Sequence, residues 1–450
     1  MIDRKYFAHP RGVYVLFFTE LWERFSFYGM RAILILYLVR ATTSANPGLG
    51  WSEAEALSLY GWYTAAVYFF GVIGGYIADR WWGALKSIRV GGWILCCGHL
   101  VLAFPAVEAF YLGLCLIILG VSLLKPNVSS LVGDLYDESD YEGREYAYTL
   151  FYVGINLGSI FAPLVIGYIG EAVGWHYGFA VAGIGMALGQ LVFLWGQKHL
   201  PDTAGIRTPM ASLAPSRFHK PKSSFSAEEW DRIKVLIAGF ALTSCFMAAF
   251  EQAGGLIALF ANQYTNLEIY GWKMPTSWVQ SFNPFFIITC GFLVSRFWVS
   301  AKQCGRDARV AAKFSCGMIL TSIGFWALVA AAYEAQQVGQ SRLSWLVLAF
   351  FCHSLGELCI VPVIMNSVNK FAPASLKSTM MGALWFAVAL GAKMAGVLGE
   401  LSEKYGDLQV FAFVAAECMV IGVLFLFLRN ILGYWSHGAD FGVEGVEKPT

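Results

Sequence analysis

Apolar residues in this chain fall in long blocks separated by short polar interruptions. A helix needs about 20 apolar residues to cross a membrane at roughly 1.5 Å per residue. On that rule the blocks predict twelve membrane-spanning helices. Six run over residues 13–39, 57–78, 86–106, 109–132, 147–170 and 176–197, and six more over 234–262, 277–299, 308–333, 343–371, 378–402 and 408–434. Between the two sets, Pro201, Pro209, Pro215 and Pro221 stand among Ser, Thr and basic residues, which reads as a surface linker. The expected organisation is a six-helix bundle at 1–199, a linker at 200–233 and a second six-helix bundle at 234–450. Ser226 followed by Glu229 matches a capping box, which predicts a short helical turn leading into the seventh span. No stretch remains for a water-soluble catalytic domain.

Composition agrees with an all-α integral membrane protein: 57% of the residues are hydrophobic and 14% charged, with a mean hydropathy of +0.58. A net charge of +1 gives no reason to expect a nucleic-acid partner. Position matters more than the sum. Of the 31 Lys and Arg, 23 fall in the termini, the linker and the loops on one side, while Arg40, Lys273, Arg342 and Lys404 fall on the other. Basic residues stay inside, so both termini are expected to be cytoplasmic. The first apolar block contains Glu20, Glu23 and Arg24 and continues to Leu38, which predicts a retained span rather than a cleaved leader. Nine of the ten cysteines lie in apolar runs and one, Cys304, in a polar loop, a distribution that offers neither a disulfide framework nor a metal site.

Charges within the spans carry the chemistry. A charge at the bilayer centre costs at least about 2.5 kcal/mol, so each must face a cavity or a partner. In the first span Glu20, Glu23, Arg24, Tyr28 and Arg31 share an arc of about 140° on a helical wheel and form one polar stripe. Glu20 and Arg24, four residues apart, can pair. Lys125, Glu251 and Glu357 add charges in the fourth, seventh and tenth spans. Arg31 and Lys125 make the first half basic and Glu251 and Glu357 make the second acidic, with Glu23 against the trend. That division suits a zwitterion, its carboxylate held by the cations and its ammonium by a glutamate. Lys393 stands apart in the eleventh span, where snorkelling or pairing with Glu400 accounts for it.

Two six-helix halves joined by a basic linker are the plan of a major facilitator transporter. Gly75-Tyr-Ile-Ala-Asp79-Arg80-Trp-Trp-Gly83-Ala-Leu-Lys86 resembles that superfamily's loop motif. The run Glu20-Leu-Trp-Glu23-Arg24-Phe25-Ser-Phe-Tyr28-Gly29 resembles the first-span signature of the proton-dependent oligopeptide transporters. The likeness continues through Leu124-Lys125-Pro126-Asn127, Phe151-Tyr152 with Asn156, Phe250-Glu251-Gln252, Phe282-Asn283-Pro284, Gly356-Glu357-Leu358 and Trp385-Phe386.

The resemblance implies a proton-coupled importer of di- and tripeptides in a bacterial-type inner membrane, with protons as coupling ion and no cofactor, no catalytic or metal-binding residues and no obligate protein partner beyond the surrounding lipid. It assigns proton coupling to Glu20, Glu23, Arg24, Lys125 and Glu251, and a bridge between the halves to Arg31 and Glu251. It assigns the peptide amino terminus to Glu357 and the pocket lining to Tyr28, Arg31, Lys125, Tyr152, Asn156, Asn283, Trp385 and either Tyr63 or Tyr68. Two positions depart from the family pattern: Phe27 replaces a tyrosine and Val361 replaces a serine four residues after Glu357. A proton-coupled carrier of nitrate, an amino-acid conjugate or a drug is the rival expectation.

Overall fold

The computed structural model describes residues 10–137, 140–201, 225–303, 310–373 and 376–437; most of the expected linker, and Cys304, lie outside them. In lipid a spanning backbone has no water to bind and must close its own hydrogen bonds, which helices do. The described residues form α1 (Arg11–Val39), α2 (Glu53–Ile77), α3 (Ala84–Leu102), α4 (Val107–Asp134), α5 (Tyr141–Ala162), α6 (Tyr168–Ala172), α7 (Trp175–Gly196), α8 (Ala227–Phe250), α9 (Leu256–Tyr264), α10 (Phe282–Gln303), α11 (Val310–Val338), α12 (Leu343–Phe371), α13 (Lys377–Tyr405) and α14 (Asp407–Trp435). Eleven stretches among them are long and apolar enough to cross a membrane. α1, with 29 residues, is the twelfth expected span, and its charged stripe is what sets it apart.

Local sequence explains several ends and breaks. α1 begins behind Pro10 at φ −51°, where the missing proline N–H costs the helix nothing. α8 opens with the expected capping box: Ser226 Oγ accepts from Glu229 N at 3.1 Å and Glu229 Oε2 accepts from Ser226 N at 2.8 Å. The fifth span changes to a wide π-helical turn at Pro163–Gly167 before α6, because Pro163 has no N–H to continue the ladder. Another such turn, Ala78–Trp82, carries Asp79 and Arg80 of the loop motif.

The seventh span departs from the continuous run expected at 234–262. α8 gives way at Glu251–Gly254 to a 3-10 turn, and α9 begins at Leu256. Two consecutive glycines, Gly254 and Gly255, each cost a helix interior about 1 kcal/mol, and the break falls on them.

The chain divides into two compact units. One holds the described residues of Met1–Ser52, Ala66–Arg217 and Trp272–Pro284; the other holds those of Glu53–Ala65, Phe218–Gly271 and Phe285–Thr450. Two helices therefore change unit along their length: α2 at 65–66 and α10 at 284–285.

In the first unit, α1 packs on α5 and α7, and α3 on α4 and α7. Phe179, Phe193, Leu16 and Met30 are among its fully buried side chains. Glu171 of α6 fastens the turn Thr276–Ser281 by accepting from Thr276 N at 2.9 Å, Ser277 N at 2.8 Å and Ser277 Oγ at 2.6 Å. One carboxylate thus satisfies backbone donors that the start of a helical turn leaves open. Trp278 Nε1 donates to Leu164 O and Ser281 Oγ to Ile160 O, which completes the attachment.

In the second unit, α11 packs on α12 and α14, and α8 on α13. Ser244 Oγ donates to Ala387 O at 2.9 Å and Gln252 Nε2 to Ala395 O at 3.0 Å. Both partners advance by eight residues between the two bonds, so α8 and α13 run parallel. Gly61 of α2 meets Gly396 of α13 so closely that a Cβ on Gly61 would stand 2.7 Å from Gly396 Cα. Any side chain there would force the helices apart.

Candidate functional site

The stripe on α1 condenses around Arg24. Its Nε lies 3.2 Å from Glu20 Oε1 and also bonds the Glu23 carboxylate, and all three side chains are at most 2% exposed. The guanidinium carbon sits 5.3 Å from the Phe27 ring centre and 5.7 Å from that of Tyr28. Phe27 is therefore a buried ring lying against the cation. Glu20 Oε2, Glu23 Oε1 and Arg24 Nη2 have no hydrogen-bond partner among the described residues. Two carboxylates share one guanidinium and keep acceptor capacity in reserve.

Tyr28 links this cluster to Arg31, whose guanidinium carbon is 5.8 Å from the same ring. Lys125 lies within α4 just before Pro126; its ammonium is 5.5 Å over the Tyr68 ring and within coulombic reach of Glu20. Of the two tyrosines on α2, Tyr68 is the one whose ring the Lys125 ammonium overlies. Tyr68 stands with Lys125 in the first unit, while Tyr63 is 3% exposed in the second. On α5, Tyr152 is exposed and Asn156 is buried, its Nδ2 donating to Tyr152 O at 2.9 Å. Asn283, half-buried in the first turn of α10, belongs to the same unit.

The second unit carries the acidic residues. Glu251 has no exposed surface and is the first residue of the break between α8 and α9. Tyr60 Oη donates to Glu251 Oε2 at 3.4 Å. Gln252 holds the break to α13 through Ala395 O. Glu357 on α12 and Trp385 on α13 are both half-buried. Lys393 Nζ lies 3.4 Å from Glu400 Oε1, one of the two alternatives the sequence offered, and also 4.8 Å over the exposed Trp62 ring.

Three residues of interest escaped the sequence reading. Tyr60 is one of several aromatic residues on α2, and nothing in the sequence marks it as the neighbour of Glu251. Glu171 sits at a span end, where an acidic residue reads as solvated surface. Glu417 did carry a signal: it is an acidic residue ten positions into the apolar run of α14.

This arrangement meets known proteins at several levels. The POT family profile matches residues 85–219 and 211–412. The chain is 34% identical to the uncharacterized transporter YclF of Bacillus subtilis (strain 168), over 96% of each chain. It is 30% identical to the di-/tripeptide transporter of Lactococcus lactis subsp. cremoris, covering 95% of this chain and 97% of that one. Among solved structures, that of peptide transporter POT in complex with sulfate matches with a TM-score of 0.88 and 31% identity, covering 97% of this chain and 99% of the other.

Proposed function

This chain belongs to the POT family and is a multi-pass plasma-membrane peptide transporter, not an enzyme; from that premise we propose that it imports di- and tripeptides together with protons by alternating access. The observation that carries the proposal is the buried Glu20–Arg24–Glu23 cluster. Two carboxylates on one guanidinium, each with an oxygen that has no partner among the described residues, can take up a proton and redistribute their bonds at little cost.

In the proposed cycle Glu251 accepts a proton and gives up its claim on Arg31. Arg31 and Lys125 then take the peptide carboxylate, and Glu357 takes the ammonium. The planar guanidinium suits a carboxylate bidentately, while the half-buried glutamate suits a small cation. Tyr28, Tyr68, Tyr152, Asn156, Asn283 and Trp385 offer hydrogen bonds or surface to a backbone of variable side chain. Both termini and the linker face the cytoplasm, and the two halves of the chain, 1–199 and 234–450, act as the moving bundles. Each proton carried down a 100 mV potential contributes about 2.3 kcal/mol, enough to concentrate a peptide more than tenfold.

The test is uptake of a labelled dipeptide into liposomes under an inward proton gradient, with unlabelled dipeptide, tripeptide, free amino acid or nitrate as competitor. Competition by di- and tripeptides alone supports the reading. Competition by nitrate but not by peptides overturns it.

A further inference from the structure

Lys393 has no part in the cycle proposed above, although a charge within a span has to be held by something. It lies roughly 18 Å along α13 from the helix end at Tyr405. Its ammonium turns toward that end, 3.4 Å from Glu400 Oε1 and 4.8 Å over the Trp62 ring. Glu400 stands two turns further along the same face of α13 and holds the ammonium along the helix. Trp62 belongs to α2, so the cation on its ring joins one helix to the other. The two helices approach across glycine: a Cβ on Gly61 would stand 2.7 Å from Gly396 Cα, and one on Gly399 3.1 Å from Leu57 Cδ1. Glycine lets backbones come close but offers no side chain to interlock. Polar contacts stand at either end of this smooth seam, Lys393 on Trp62 at one and Glu403 Oε2 accepting from Ala54 N at 3.0 Å at the other.

We infer that Lys393 is a gate residue: its ammonium, backed by Glu400, clamps the first half of α2 onto α13 through the Trp62 ring, and the clamp opens each time the outer side opens. Residues 53–65 of α2 pack with α13, whereas α2 from Ala66 onward packs in the other unit. In chain order all of α2 belongs to the half 1–199 and α13 to the half 234–450. A clamp between them therefore ties together two bodies that have to part, which a bond inside either bundle would not do. The helix ends that carry Ala54 and Glu403 lie on the side expected to face outward, so the clamp favours the state closed to the outside. A cation on an indole face is weak enough to break in every cycle and strong enough to shift a balance between two states. The inference rests on the alternating-access reading, because only halves that move make this contact a gate.

Dipeptide uptake into right-side-out vesicles tests the clamp. Lys393→Met should lower the outside KM at least about threefold, because a larger fraction of the protein then stands open to the outside. Lost folding would lower only the maximal rate. Lys393→Arg keeps a cation over the ring and should restore the native KM. Trp62→Leu should match Lys393→Met, and because the ring is largely exposed it gives the same reading should Lys393→Met fail to fold. The double variant Ala54→Cys with Glu403→Cys, linked by a mild oxidant and verified as a linked peptide by mass spectrometry, should lose uptake and regain it on reduction. The link should form at least about threefold more slowly when Lys393→Met is added. A native KM in both Lys393→Met and Trp62→Leu, or uptake at the native rate by the linked protein, overturns the gate. A native protein with no uptake at all counts against the proposed function instead, and the linking rate still decides whether Lys393 holds α2 to α13.

Discussion

Tyr60 Oη donates to Glu251 Oε2 at 3.4 Å, joining the first half of α2 to the carboxylate at the break between α8 and α9. A carboxyl group with no exposed surface depends on such neighbours for its hydrogen bonds. Glu251→Gln should therefore abolish proton-driven accumulation while leaving counterflow, in which labelled peptide exchanges without net proton movement. Tyr60→Phe removes one hydrogen bond worth about 1 kcal/mol and should lower driven uptake severalfold with counterflow intact. Driven uptake at the native rate in Glu251→Gln would show that this carboxylate does not titrate during transport.

The Arg24 cluster should govern stability as well as coupling. Arg24→Ala leaves the Glu20 and Glu23 carboxylates buried together without their shared cation, and removing one partner of a buried pair costs about 3–5 kcal/mol. Thermal unfolding in detergent should show a clearly lower midpoint together with lost uptake. Arg24→Ala combined with Glu20→Gln and Glu23→Gln removes the uncompensated charges and should recover much of the stability but none of the coupling. A midpoint unchanged by Arg24→Ala would mean that the cluster is solvated.

The proposed ammonium partner can be tested from the ligand side. Acetylating a dipeptide at its amino terminus removes the charge that Glu357 is proposed to hold, so the native protein should bind it poorly. Glu357→Gln should lose about tenfold or more in affinity for the free peptide, since a charged hydrogen bond contributes roughly 1.5–3 kcal/mol. Little further should be lost for the acetylated one. Equal losses for both ligands would place the amino terminus elsewhere.

Much of the architecture was legible because membrane helices announce themselves by length and apolarity, and a buried charge stands out against such a background. Glu20, Glu23 and Arg24 could be read as one stripe from their helical spacing, Lys125 being added to them by the family resemblance alone, and the structure pairs both carboxylates with Arg24. The break after α8 was less legible: Gly254 and Gly255 are its only mark, and in a membrane span glycine also signals close helix packing. Tyr60 as partner of Glu251 had no local sign, since the two are 191 positions apart. The Glu171 attachment was invisible for a different reason. Two of its three donors are backbone N–H groups at Thr276 and Ser277, which every residue but proline possesses. The transfer of Glu53–Ala65 and Trp272–Pro284 to the other unit likewise follows from packing, such as Gly61 on Gly396, that no periodicity encodes.

Glu171 offers a prediction independent of transport. Glu171→Ala removes the acceptor of three hydrogen bonds at Thr276 and Ser277. Amide hydrogen exchange across Thr276–Ser281 should accelerate at least tenfold, while exchange in α3 and α4 stays unchanged. Unaltered protection of this turn would mean that Trp278 and Ser281 alone hold it in place.

Coupling itself is the central claim, and proton flux reports it most directly. Liposomes containing the protein and a pH-sensitive dye are held at equal pH inside and out, with an inside-negative potassium diffusion potential, and a zwitterionic dipeptide with uncharged side chains is added outside. The account predicts interior acidification that begins with the peptide, saturates with its concentration and is absent in Glu251→Gln. Peptide entry without acidification, or acidification that ignores the peptide, would contradict it.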